Sequence, residues 1–438
     1  MEKQISVRAP WLALALIAVA TGILHLALGL YYATRVLTVE QKPSLSVTGE
    51  AYLRSFAGWD TEQEVDSPGY NRAAVAAMET GIPRSKTGSV FFRAAGYAYF
   101  LAACYSVGGL RLISVAVPQA VFNGLTCLLI GLAAGRIASR HKNAAMIIGA
   151  LLVLVNLRLA MYVGYVYPTC LVMTLLALAL WAATGPLTSG RALGVAGALI
   201  FGTFSQGAFF VVTFAAGCWF ALEWWRRRQG AAALGFAVVA LAIAAKFILT
   251  WSAARGGDLD YWQRMDRGGT LWLTNNPYYE SMTWQSAWEC RPGNPWTSWQ
   301  KTDAEESRYA DYLSQADGDY GKAATLWIRE NPAQYVKLCF IRLRTELGPT
   351  TGQMSPRNRK ISTALWLLVF PAGFAGLWLA RREFGWGLGA LIVLGVIAFD
   401  TLFIVEWYFR YRFPVDMTLT MFAAVALARL VRRRQEAA

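Results

Sequence analysis

The chain has 438 residues, of which 56% are apolar and only 16% charged, with a formal net charge of +14. Many of the apolar residues fall in runs of about 18 or more, a length that crosses a bilayer rather than one that fills a soluble core. A free soluble enzyme is excluded. The basic balance is no nucleic-acid footprint either, because Arg136, Arg140, Arg226 to Arg228 and Arg432 to Arg434 all flank the ends of apolar runs.

In chain order, hydropathy predicts about ten spanning helices, at 11–33, 113–134, 144–160, 162–183, 192–206, 209–222, 231–251, 361–380, 386–405 and 415–430. The first is too long for the apolar region of a signal peptide. Tyr31 and Tyr32 make an interfacial belt where a cleavage site would stand, so it reads as a retained helix. The short fifth and sixth spans are separated because Gly202 to Gly207 (GTFSQG) is polar and glycine-flanked, and because the charge pattern needs an even number of crossings there. The fold class is therefore an all-α polytopic membrane protein, with interfacial helices and a large outward loop.

Charge orients this layout. With the N-terminus in the cytoplasm, the inward segments are 1–10, 135–144, 184–191, 223–230, 381–385 and 429–438, and they carry about +11 of the net +14. The long outward segments, 34–93 and 252–360, are near neutral. Three parts result: a transmembrane module over 1–251 with a first outward loop at 34–110, a loop domain over 252–360, and C-terminal transmembrane helices over 361–438. The span interiors are nearly bare of charge, whereas Lys246, Glu406, Arg410, Arg412 and Asp416 gather at outward helix ends. A transporter path would place polar groups at mid-membrane instead. The pattern suits a substrate that is half lipid and half polar.

Two outward stretches, Arg93 to Tyr105 (RAAGYAYFLAACY) and Asn331 to Leu347 (NPAQYVKLCFIRLRTEL), are apolar but too short to span, and suit helices in the interface plane. In the second, Val336, Phe340, Leu343 and Leu347 recur at helical spacing toward lipid, flanked by Lys337 and Arg344. Cys290 and Cys339 share the large outward segment, where an oxidising compartment permits a disulfide.

Asp66, in Val65 to Tyr70 (VDSPGY), precedes a Pro-Gly turn and a short helical pattern. A carboxylate there is either a plain helix cap or, held ionised by the helix dipole, a general base. Arg93 is either an interfacial anchor or a cation at a site. Arg410 and Arg412 precede the last helix, which Pro414 starts, at a depth where guanidinium forks meet phosphate oxygens or headgroups. Lys246 lies near an outer helix end and can snorkel toward a phosphate or toward water. His25, alone in a span, reads as a packed core residue, and no side-chain spacing assembles a metal site.

Taken together these stretches resemble the GT-C glycosyltransferases, most closely the bacterial branch similar to protein O-mannosyltransferases and the lipid A aminoarabinose transferase. Asp66, Gly69 and Tyr70 match the family's first-loop acid, and Arg93, Gly96, Tyr97, Phe100, Leu101 and Ala102 match its Arg-turn-helix motif. Ala95 and Ala98 stand where the family has prolines. Trp272 to Pro277 (WLTNNP), Ile328 to Pro332 (IRENP) and Tyr411 to Pro414 (YRFP) match later segments in the right order. The turn from Asn156 to Tyr167 lacks the second carboxylate of many relatives, which counts against a two-carboxylate or metal-bridged mechanism.

The resemblance implies inverting sugar transfer from a polyprenyl-phosphate donor to a glycan, lipid or protein acceptor, on the periplasmic side of a bacterial inner membrane with both termini cytoplasmic. Asp66 would be the base. Arg412, Arg410, Lys246, Lys86 and Arg93 would be candidates for the donor phosphate, and Tyr70, Tyr97, Trp272 and Asn276 for substrate contacts. Membrane lipids are expected partners and nucleic acid is not; no cofactor is required, with a divalent metal left open. Two rivals remain: an O-antigen ligase or polymerase, which typically leans on Arg and His in a loop that here has no histidine, and a transporter or flippase of lipid-linked sugars.

Overall fold

The computed structural model describes residues 2–35, 66–84, 90, 94–253, 268, 270–279, 303–349, 356–403 and 411–437. These divide into two compact units. The first comprises Met1–Ala253, Val369–Val393 and Pro414–Ala438, and the second Ala254–Leu368 and Leu394–Phe413.

The first unit is built of α1 (Glu2–Arg35), α2 (Asp66–Thr80), α3 (Ala95–Gly108), α4 (Leu112–Ile137), α5 (Lys142–Leu154), α6 (Leu157–Met161), α7 (Thr169–Ala183), α8 (Ser189–Ser205), α9 (Phe210–Arg227) and α10 (Gly230–Ala253). Two helices, α15 (Pro356–Leu379) and α16 (Trp386–Phe403), contribute to both units, and most of α17 (Phe413–Ala437) belongs to the first. Eight of the ten predicted spans fall on one helix each. Among the described residues, seven helices are long and apolar enough to cross a membrane, so the chain is a multi-pass membrane protein. The third predicted span is broken, its two parts bent by 48°, and the fourth is a 15-residue helix, α7.

The basic helix ends meet. Lys142 lies 5.7 Å from the Trp11 ring, joining the starts of α5 and α1. Arg136, 4.4 Å from the Trp181 ring, donates to the Trp181 carbonyl and joins the ends of α4 and α7. Gly385 backs onto the Ala183 carbonyl, and Arg227 lies 4.9 Å from the Phe384 ring, which brings in the α15–α16 turn and the end of α9. Four of the segments predicted to face inward thus share one end of the unit, and Trp11 directly follows a fifth.

The bend after α5 has a polar lining. An irregular backbone at membrane depth leaves carbonyls that water does not reach, and they need protein donors. His25 Nε2 donates to Leu154 O at 3.0 Å, and its Nδ1 accepts from Asn123 Nδ2 at 3.1 Å. Asn123 Nδ2 also reaches Leu159 O, and Gln119 Nε2 reaches Val163 O and Tyr165 O at 3.2 and 2.8 Å. The lone span histidine is therefore a fully buried structural residue. Gly29 and Gly164 let α1 touch this turn directly: a Cβ on Gly164 would fall on the Gly29 carbonyl oxygen.

The second unit contains α11 (Thr270–Thr274), α12 (Asp303–Gln315), α13 (Tyr320–Glu330) and α14 (Pro332–Leu347). Trp272, Tyr279, Tyr312, Trp327, Leu338 and Ile341 form its core. Asp319 caps α13 by accepting from Lys322 N at 2.9 Å, and Pro332 occupies the first turn of α14, where its missing N–H has no helical partner to lose. The opposite face of α14 exposes Val336 (51%) and Phe340 (68%). Cys339 is partly buried on α14, and Cys290, with which the sequence permits a disulfide, lies outside the described residues.

Candidate active site

At the end of the first unit away from the clustered basic groups, α2, α3 and the turn after α5 come together. Helix α2 begins at Asp66 itself, with Pro68 and Gly69 in the first turn, where proline is tolerated because those N–H groups have no carbonyl to meet. The carboxylate of Asp66 lies outside the described atoms, as do Lys86, Arg93 and Arg410 altogether. One turn on, the Tyr70 ring stands edge-on to Tyr97 of α3 at 5.3 Å and to Tyr167 at 6.1 Å. Tyr167 in turn meets Tyr162 at 6.0 Å. Helix α3 is tied to α2 by a short bond from the Tyr105 hydroxyl to Asn71 Oδ1, and Tyr97 OH reaches Gln119 Oε1 at 3.5 Å. Tyr70 and Tyr97 are thus brought together, both buried, as one wall of aromatic rings.

The turn carrying Tyr162, Tyr165 and Tyr167 also carries a charge. Asn156 caps α6 by accepting from Leu159 N at 3.1 Å, which fixes the next residue but one, Arg158. Arg158 Nη1 stands 3.5 Å from Asp416 Oδ2, with the two side chains only 9% and 18% exposed. Asp416 lies in the first turn of α17. Asp416 comes 258 positions after Arg158 in the chain. Sequence reading noted Asp416 only as one of several outward charges and did not single out Arg158.

Lys246, half-buried on α10, donates from Nζ to Thr203 O at 2.9 Å and lies 5.7 Å from the Phe204 ring. Thr203 O belongs to the last turn of α8, so the ammonium sits where the helix dipole favours a cation. Thr203 and Thr213 bond across the same break at 2.7 Å.

In the second unit the predicted contacts have structural partners. Trp272 is fully buried, 4.8 Å from the Tyr309 ring, and leaves no face for sugar stacking. Asn276 donates from Nδ2 to Trp272 O at 2.8 Å and accepts from Tyr278 N at 3.0 Å, so its amide shapes the turn after α11. Arg412 is 2% exposed and donates from Nη1 to Glu346 O at 2.9 Å and to Gly348 O, closing the end of α14. A residue that sequence reading passed over, Arg342, holds this unit together. Its Nη2 donates to Thr274 O at 2.6 Å and Asn275 Oδ1 at 2.8 Å, and its Nη1 to Thr401 O and Leu402 O at 3.4 and 3.3 Å. Burial pushes its pKa down from the ordinary arginine value. Among the described residues, no three His, Cys, Asp or Glu side chains converge as a metal site would require.

Comparison with solved structures finds several of the Archaeoglobus fulgidus oligosaccharyltransferase, three of them as follows. One is tethered with an acceptor peptide (12% identity, TM-score 0.44, covering 94% of this chain and 50% of that one). Another is in complex with zinc and sulfate (14%, 0.45, 96% and 49%). The third, of the archaeal oligosaccharyltransferase AglB, is in complex with an inhibitory peptide and a dolichol-phosphate (12%, 0.43, 95% and 52%). The chain spans about half the length of these proteins. No protein-family model matches the chain, and no curated protein does.

Proposed function

We propose that the chain is a GT-C glycosyltransferase that moves a sugar, with inversion, from a polyprenyl-phosphate donor to an acceptor hydroxyl on the periplasmic side of a bacterial inner membrane. The observation that carries the reading is where the buried charge lies. The helix that begins at Asp66, the tyrosine wall of Tyr70, Tyr97 and Tyr167, and the Arg158–Asp416 pair share one end of a multi-pass unit whose clustered basic groups lie at the other. A lipid-borne phosphate and its sugar are delivered at that depth.

Asp66 takes the proton of the acceptor hydroxyl, and the oxygen attacks the anomeric carbon from the face opposite the phosphate. The bond from that carbon to the phosphate oxygen breaks, and its electron pair leaves on the lipid phosphate. Fixed cations lower the cost of that new charge. Lys246, Arg93 and Lys86 are the nominees in the first unit, and Arg412 and Arg410 in the second. Trp272 and Asn276 are engaged in packing and turn formation within the second unit.

The test is transfer of radiolabel from a polyprenyl-phosphate-sugar pool in membranes, wild type against Asp66→Asn at matched expression. Transfer by the wild type and none by the variant is the expected result. Equal transfer by both removes Asp66 from the mechanism, and none by either overturns the donor class.

A further inference from the structure

We infer that Arg158 binds the phosphate of the lipid-linked donor, and that Asp416 is the internal counter-charge that holds the guanidinium until the phosphate displaces it; the inference rests on the function proposed above.

Stability gives a poor account of this pair. Two charges taken from water are desolvated at a cost that their attraction barely repays, and apolar residues of similar size commonly do as well or better. Within a membrane module an ionisable residue points first to function. The geometry agrees. At 3.5 Å the contact is longer than the roughly 2.7–2.9 Å of a tight charge-assisted bond.

Three features fit a phosphate in particular. The guanidinium lies away from the clustered basic ends, where charge orientation gives no reason for an arginine. The turn that carries it is held by Asn156, Gln119 and Asn123, so the group is positioned before any ligand arrives. Finally, Asp416 sits in the first turn of α17, where the helix dipole keeps a carboxylate comfortable when its arginine turns to another anion. Tyr167, on the Arg158 turn, meets Tyr70 on the helix that Asp66 begins. In an inverting displacement the base and the leaving phosphate stand on opposite sides of the anomeric carbon. The helix that Asp66 begins and the turn that carries Arg158 are the two elements these rings join.

The experiment measures binding of a polyprenyl monophosphate to the purified full chain in nanodiscs. Inorganic phosphate and phosphatidylglycerol serve as separate competitors, and the corresponding polyprenyl alcohol as a phosphate-free control. Losing a charge-assisted contact of this kind weakens binding about tenfold to a hundredfold in Arg158→Gln, with partial recovery in Arg158→Lys. Asp416→Asn removes the competing anion, and should bind as tightly as wild type or several-fold tighter. Matched melting profiles show that each variant is folded.

Unchanged affinity in Arg158→Gln, or a loss in Asp416→Asn equal to that in Arg158→Gln, overturns the inference and makes the pair structural. Equal competition by phosphatidylglycerol assigns the site to bulk headgroups, and by inorganic phosphate to a free anion; either result overturns it. Binding without sugar transfer in the membrane assay keeps the inference and sinks the proposed activity. Transfer with an indifferent Arg158 does the reverse.

Discussion

Arg342 offers the sharpest test of how the second unit is held. Replacing it with methionine keeps most of the volume and removes all four donated bonds. The two short ones, to Thr274 O and Asn275 Oδ1, carry most of the energy, at about 1.5–3 kcal/mol each for a charged donor. The two at 3.4 and 3.3 Å, to Thr401 O and Leu402 O, add little. Against this, methionine escapes the desolvation that lowers the arginine pKa, which returns part of the sum. The net cost is about 2–4 kcal/mol, local to 270–276 and to α14. In hydrogen exchange at equilibrium that is about thirtyfold to a thousandfold faster exchange there, with the first unit unaffected. Arg342→Lys keeps one donor group and should fall roughly midway. Exchange within threefold of wild type in Arg342→Met would refute the argument, as would a lysine variant no better than methionine.

His25→Phe leaves Leu154 O without its donor and Asn123 Nδ2 without one of its two acceptors inside the bundle, at about 1–3 kcal/mol, and should lower the melting temperature in detergent, with less effect from a hydrogen-bonding replacement such as His25→Gln. Gly164→Ala puts a methyl on the Gly29 carbonyl and should cost about 1–3 kcal/mol, read in the same melts; a neutral result would mean that α1 and the turn separate freely. The raised pKa of Tyr312, due first to burial and then to its bond with Glu330, means that the fold favours the neutral phenol. That stabilisation is complete below the ordinary tyrosine range and is lost as pH climbs above it, so protease resistance of the second unit should fall at alkaline pH, and less steeply in Tyr312→Phe. If the apolar face of α14 rests on lipid, a tryptophan at position 340 should be quenched by brominated lipid and one at buried position 338 should not.

Much of the fold was legible because bilayer length and helix-end charge are local signals. Seven of the predicted spans lie on helices long and apolar enough to cross, and the basic segments predicted to face inward meet through Lys142, Arg136, Gly385 and Arg227. Long-range pairing was not legible. Nothing within a few residues of Arg158 announces Asp416, and an arginine on an amphipathic helix, as Arg342 is, looks like a headgroup anchor until its acceptors are seen. Trp272 was ambiguous for a related reason. A loop rich in aromatic residues suits sugar stacking and core packing equally well, and only burial separates the two.

The bend between α5 and α6 has a consequence for how the chain is made. Its carbonyls at Leu154, Leu159, Val163 and Tyr165 are met by His25, Asn123 and Gln119, all of which come earlier in the sequence. During synthesis the donors are thus already in the membrane when the acceptors leave the ribosome. A kink that would stall in lipid alone arrives at partners already in position. Moving those donors to a later helix, with every contact preserved on paper, would leave the emerging segment to wait unpaired, open to degradation before the bundle closes.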